Sequence, residues 1–260
     1  MQNKHFIVPI LFFTTLIVFS SLSYAAHPLI TDDTGTQGKG KFQFEIIGEY
    51  GYDSEDGVTT DSVQIPTTPV LSYGITDNID AVFGISYLYQ REGEGGTSTD
   101  EDGISDTSVE FKWRLYEYEK GGLSFALKPG ITFPTGDDER GLGAGRITYG
   151  IFLITTEEIG PCAFHLNLGY KKNENKVDER NDIWHASLAG EVEIIKDLKI
   201  VGNIGIERNP DKTSHQNPAF LLGGVVYSIT EDFDVDVGFK GGLNKTETDN
   251  TVLAGITVRF

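Results

Sequence analysis

Cysteine is nearly missing: Cys162 is the only one in 260 residues. A single thiol cannot close an internal disulfide, so the fold must hold without one. Basic residues are also scarce, 21 Lys and Arg against 39 Asp and Glu, for a formal net charge of −18. So acidic a chain repels nucleic-acid phosphates, which excludes nucleic acid as a backbone-bound partner. Beyond the first 25 residues no apolar run is long enough for a helical membrane span. From residue 41 onward no useful stretch repeats with a period of 3.6. If the mature chain enters a membrane, it does so as strands.

What is present starts with "MQNKHFIVPILFFTTLIVFSSLSYAA". Lys4 is followed by an apolar run of about fifteen residues and then Ser23-Tyr24-Ala25, the layout of a secretory signal peptide cleaved after Ala25. No Cys lies at that junction to mark a lipoprotein. The expected organisation is a leader over 1–25, an N-terminal segment over 26–40 and one β domain over 41–260. Twelve strands are predicted: 41–52, 63–75, 79–90, 105–116, 123–134, 146–155, 163–171, 183–194, 198–207, 218–229, 233–241 and 251–260. Gly, at 31 residues, is scattered through these strands and suits bends in a closing sheet. Connections alternate between short ones such as "TDN" and "TED" and long acidic ones such as "REGEGGTSTDEDGIS" and "TGDDERGLGAG". An even strand count with short turns at one rim and long loops at the other predicts an up-and-down transmembrane antiparallel β-barrel of the outer-membrane type. Both termini would then be periplasmic.

The stretch "FDVDVGFK" (233–240) states the pattern in miniature: Phe, Val, Val and Phe alternate with Asp, Asp, Gly and Lys. Period two gives one apolar and one ionic face. Phe42, Phe44, Leu71, Phe83, Phe111, Trp113, Tyr149, Phe164, Trp184, Tyr227 and Phe239 fall on the apolar face. Opposite them fall Glu45, Glu49, Asp80, Glu110, Lys112, Arg114, Lys128, Arg146, Glu191, Glu193, Asp234, Asp236, Lys240 and Arg259. So many ions in a dry core would cost several kcal/mol for each one imperfectly paired. The ionic face must therefore look into a wet lumen and the apolar face at lipid. The chain ends on Phe260 at the close of an alternating strand, which resembles the signal read by the outer-membrane assembly machinery.

"AHPLITDDTGTQGKGKFQFEI" (26–46), "LSYGITDNIDAVFGISY", "GISDTSVEFKWRLY" and "KPGITFPTGDD" resemble the outer-membrane family described as the MetA-pathway of phenol degradation, whose members are often called transporters. The resemblance covers nearly all of the mature chain. It implies passage of aromatic or other hydrophobic compounds across the outer membrane of a Gram-negative bacterium, and no catalysis. It carries no catalytic residues over to this sequence.

Candidate lumen-lining residues are Glu110, Lys112, Arg114, Lys128, Arg146, His165, His185, Glu191, Asp236 and Lys240. Phe220, Leu222, Val226, Phe152 and Leu88 are apolar yet fall on the lumen face. Two explanations stand open for them: an apolar patch along the solute path, or packing against an inserted segment, for which residues 26–40 with Leu29 and Ile30 qualify. His165 and His185 on neighbouring predicted strands, with Glu191 and Glu193, invite a metal or acid–base site; ordinary lumen lining is the simpler account. No His falls on a lipid face, as an outer-membrane lipase would require. "GLGAG" (141–145) lacks the strand–turn–helix setting of a dinucleotide loop. "TSTDED" and "DSEDG" lack calcium-loop spacing. Loose bridging of these acids to lipopolysaccharide by divalent cations is the alternative to plain solvation. The expected partners are outer-membrane lipid, lipopolysaccharide, the assembly machinery and a small hydrophobic or aromatic solute, with no cofactor. A structural or adhesive barrel without transport is the competing function, and an outer-membrane enzyme a third.

Overall fold

The computed structural model describes residues 27–55, 58–65, 69–94, 97–118 and 122–260. The leader assigned to residues 1–25 lies outside them. Fifteen strands form one antiparallel sheet: β1 (Phe42–Glu55), β2 (Val58–Ile65), β3 (Val70–Thr76), β4 (Ile79–Gly84), β5 (Tyr87–Glu94), β6 (Thr97–Ile104), β7 (Thr107–Glu117) and β8 (Leu123–Phe133), then β9 (Thr148–Ile159), β10 (Cys162–Lys172), β11 (Asp182–Ile195), β12 (Leu198–Glu207), β13 (Ala219–Thr230), β14 (Phe233–Gly242) and β15 (Asn250–Arg259). β15 pairs back onto β1, closing the sheet. Among the described residues no helix is long and apolar enough to cross a membrane.

Three staves of the barrel are each made of two strands in sequence: β2 with β3, β4 with β5, and β6 with β7. Counted as staves, the wall has twelve, the number predicted. The unbroken spans predicted over 63–75 and 79–90 are nevertheless interrupted. Between β2 and β3 the sequence reads Pro66-Thr67-Thr68-Pro69, and proline has no N–H to give a ladder. Two stretches expected to be loops are instead strand. "DSEDGVTTD" (53–61) falls largely in β1 and β2, and "REGEGGTSTDEDGIS" (91–105) becomes the β5–β6 hairpin. Cross-strand chemistry explains the second case: Arg91 Nε and Nη2 donate to both carboxylate oxygens of Asp100 directly opposite (2.7 and 2.9 Å). β6 is the free edge of the sheet.

Alternation decides the faces. On β10, Phe164, Leu166, Leu168 and Tyr170 are 40–47% exposed, while His165 and Asn167 between them are 1% and 3% exposed. On β14, Val237 and Phe239 are exposed and Asp234 and Asp236 are buried. The apolar belt is outside, because only there can it meet an apolar solvent once the carboxylates take the interior. At the turn rim the Phe42 and Phe260 rings stack with centroids 5.5 Å apart, and Phe42 and Tyr73 lie at 4.6 Å. The N–H of Phe42 donates to the carbonyl of Phe260 (2.8 Å) and that of Phe260 to the carbonyl of Phe42 (3.0 Å), fastening the seam between first and last strands.

Residues 27–37 wind around the inside of the wall, and 38–40 lead out along the turn rim to β1. The Ile30 and Thr31 N–H groups donate to Asn203 Oδ1 on β12 (2.8 and 3.0 Å), and that of Asp32 to Asn167 Oδ1 on β10 (2.8 Å). Thr34 N–H donates to Thr156 Oγ1 on β9 (3.1 Å) and Gln37 N–H to Asp80 Oδ2 on β4 (3.0 Å). An irregular backbone has no ladder of its own, so its buried N–H groups must be met by side chains. Inward Asn and Thr supply that need here.

Candidate functional site

The lumen is built from inward positions plus the crossing segment. At its start His27 Nδ1 lies 2.6 Å from Asp236 Oδ1, both buried. Pro28 is fully buried over Gly224 and Gly238; a Cβ at either glycine would come within 2.6–2.7 Å of its ring. Leu29 packs on Val201 and Val226 and on Phe220, Leu222 and Leu253. Further along, Gly38 approaches so closely that a Cβ on Gly74 would sit 1.9 Å from its carbonyl oxygen. At these positions the strand glycines make room for the segment, beyond any role in bending the sheet.

Charge gathers where Asp32 faces β7 and β8. Its carboxylate accepts from Lys112 Nζ (2.7 Å) and Lys128 Nζ (3.1 Å). Lys112 also lies 3.5 Å from Asp33, and Lys128 3.1 Å from Glu110. Burial alone would push the Asp32 carboxyl up, but the two ammoniums outweigh it and hold the group well below the usual carboxylate range. For Asp33 burial wins over Lys112, and its carboxyl is raised. Between this ladder, the segment and the wall of β1, β3, β4 and β7 lies a cavity of about 310 Å³. Ile47, Val70 and Val82 line it together with Glu45, Asp80, Glu110 and the Asp32–Lys112–Lys128 group.

The structure thus brings Glu110, Lys112 and Lys128 together around Asp32, and sets Asp236 against His27. The remaining candidates scatter. Glu191 pairs with Lys199 (2.8 Å). Lys240 pairs with Glu247 (2.7 Å), its ammonium 5.8 Å from the Phe220 ring centre. Arg114 donates to the Asp77 carbonyl (3.1 Å) beside a turn, away from the cavity. Arg146 is exposed and precedes β9, which begins at Thr148 and not at residue 146. Its place is in the long connection after β8, because the strand pairing there starts only at Thr148. Of the apolar candidates, Phe220, Leu222 and Val226 are covered by Leu29, so the inserted-segment explanation applies to them. Phe152 packs edge-on against His185 (5.7 Å) beside a smaller cavity of about 100 Å³, and Leu88 lies on β5 beyond the strand interruption.

The two lumen histidines do not form one site. His185 pairs with Gly169, four residues along β10 from His165, about 13 Å at the usual strand rise. His165 Nδ1 is 3.0 Å from Thr156 Oγ1. His185 bridges Ser187 Oγ (Nε2, 2.9 Å) and Glu207 Oε2 (Nδ1, 3.2 Å). That order of groups resembles a nucleophile–base–acid relay. However, Ser187 is only 3% exposed and sits in the middle of two paired ladders. Their backbone N–H groups are engaged in strand pairing, which leaves no oxyanion donors. Among the described residues no group of three or more His, Cys, Asp or Glu side chains is arranged to hold a metal ion.

The partners of the segment were beyond sequence reasoning. Asn167 and Asn203 carry no charge and sit mid-strand, but an amide at an inward position is itself a signal that something polar must lie across from it.

A closed twelve-stave barrel with an apolar outer belt and an ionic interior defines the class: an outer-membrane β-barrel. The chain belongs to the family described as "Putative MetA-pathway of phenol degradation", which matches residues 28–260. Among solved structures the fold is similar to an outer membrane channel from Pseudomonas putida F1, with a TM-score of 0.67 and 12% identity over 88% of this chain and 98% of that one. It is also similar to the NanC porin (TM-score 0.54, 10% identity, 83% and 98% covered) and the KdgM porin (0.51, 10%, 84% and 99%). A comparison with curated proteins finds no match.

Proposed function

We propose that this chain is an outer-membrane channel, not an enzyme, through which small aromatic or hydrophobic compounds pass down their gradient. The observation that carries the reading is the cavity of about 310 Å³ left beside the crossing segment, walled by Ile47, Val70 and Val82 interleaved with ions, Val70 opposite Glu45 and Val82 opposite Glu110. A lumen with both kinds of wall carries an apolar ring and a polar substituent at once. Support comes from the family and from the channel and porins that share the fold. The short-turn rim and both termini face the periplasm, and the long connections over 134–147, 173–181, 208–218 and 243–249 face outward. Residues 27–40 act as a plug that narrows the path. Phe260, stacked on Phe42, is offered at the rim to the assembly machinery.

The test is liposome swelling with phenol, a neutral sugar and an amino acid, beside planar-bilayer conductance. Flux of the phenolic solute ahead of the sugar supports the reading. The many contacts of residues 27–37 with the wall favour one competing account, a structural barrel with a filled lumen. Absence of flux for every solute, with and without residues 27–40, selects it.

A further inference from the structure

The cavity beside the crossing segment is chemically lopsided. Five carboxylates line it, those of Asp32, Asp33, Glu45, Asp80 and Glu110, against the two ammoniums of Lys112 and Lys128. Both ammoniums are already committed, Lys112 to Asp32 and Asp33 and Lys128 to Asp32 and Glu110. The acids are not. Asp33 and Asp80 are each 1% exposed, and Asp33 Oδ2 and Asp80 Oδ1 are buried with no hydrogen-bond partner. Among the described residues neither Glu45 nor Asp80 has a lysine or arginine within ion-pair distance. A buried, unpartnered carboxylate oxygen carries a desolvation penalty that an incoming donor relieves. An anion entering the same space would have to pull a lysine from its partners.

From this we infer that the cavity is a binding site for a small organic cation, an ammonium attached to a single ring or short apolar body. The ammonium faces Asp80 and Asp33, and the apolar body lies on Val70, Val82 and Ile47. A volume of about 310 Å³ stands at the small end of ligand pockets, which suits one ring and excludes larger solutes. The inference rests on the proposed channel function and narrows it, from aromatic solutes in general to amine-bearing ones over phenolates and carboxylates.

Calorimetric titration of the full mature barrel in detergent tests the site without requiring flux. Benzylammonium, benzyl alcohol and benzoate share a ring and differ in charge. Benzylammonium should bind about ten- to a hundredfold more tightly than benzyl alcohol, the worth of one charge-assisted hydrogen bond, and benzoate should not bind. Asp80→Asn keeps an acceptor for the Gln37 N–H and should remove most of that preference, as should Glu45→Gln in part; Asp211→Asn, in an exposed connection, should leave it intact. Barrel integrity of each variant is checked by circular dichroism. Equal binding of the alcohol, tighter binding of benzoate, or full retention of the preference in a folded Asp80→Asn protein overturns the site. In bilayers under a KCl gradient the reversal potential should show cation preference that shrinks in Asp80→Asn. Conductance without cation preference overturns this inference and leaves the channel. Amine binding without conductance for any solute does the reverse.

Discussion

The crossing segment meets two walls and is treated differently by each. Against β12 to β15 it is seated: Pro28 fits over Gly224 and Gly238, and Leu29 over Val201, Phe220, Leu222 and Leu253. Against β1, β3, β4 and β7 it comes close at Gly74 but elsewhere is held off by Lys112 on Asp32 and by Gln37 on Asp80, and a cavity remains. The first wall offers glycines and aliphatic side chains that a chain can pack on. The second offers Glu45, Asp80, Glu110 and Lys112, which stay favourable only when solvated or paired. The difference leaves the open space beside β1, β3, β4 and β7, where the proposed channel runs.

Deleting residues 27–40 is the strongest way to break that comparison. Single-channel conductance should rise severalfold because both walls become wet; an unchanged conductance means the segment does not limit the path. Next in size, Asp32→Ala removes the shared partner of Lys112 and Lys128 but leaves them Asp33 and Glu110, so the cost should fall below the roughly 3–5 kcal/mol of a fully buried charge stripped of its only partner. The segment should detach, and protease sensitivity near its start should appear in the variant alone. Leu29→Ala removes the apolar foot and should cost about 2 kcal/mol, the low end for a Leu truncation because Leu29 is only partly buried. Gly238→Val crowds Pro28 and should cost about 1–3 kcal/mol, read as a modest rise in conductance with the barrel's melting little changed. The smallest effect is on pH. Asp32 titrates lower in the folded state than the unfolded value of about 4, so its contribution is fully present above that value and is lost as pH falls below it. Conductance should hold steady from pH 8 to about 5 and climb below about pH 4. Asp33, raised by burial, works in the opposite sense, its protonation easing docking as pH falls.

Much of the wall was legible beforehand. Period-two alternation in "FDVDVGFK" placed Asp234 and Asp236 inside and Val237 and Phe239 outside because it records a solvent contrast directly. The stave count followed from turn spacing. The β5–β6 hairpin from Arg91 onward escaped because most of its residues are polar on both faces, so no alternation betrays it; what pairs it is chemistry between opposite residues such as Arg91 and Asp100. The centre of the candidate site escaped for another reason. Asp32 lies in a segment without periodicity, and its meeting with Lys112 and Lys128, 80 and 96 positions later, depends on how the chain before β1 threads into the lumen. Apolar inward residues hinted at a guest without saying which side stays open. Arg146 shows the converse: alternation extended two residues past the strand's true start mistakes a rim residue for a wall residue.

Thiol labelling inside the lumen tests the two-wall account most directly. With Cys162 replaced by Ser, Val70→Cys would sit on the cavity side and Leu222→Cys beneath Leu29. A small charged thiol reagent added during bilayer recording should block current through Val70→Cys within seconds and leave Leu222→Cys unaffected until residues 27–40 are deleted. Rapid block at Leu222→Cys with Val70→Cys protected would put the open path on the wrong wall and contradict the account.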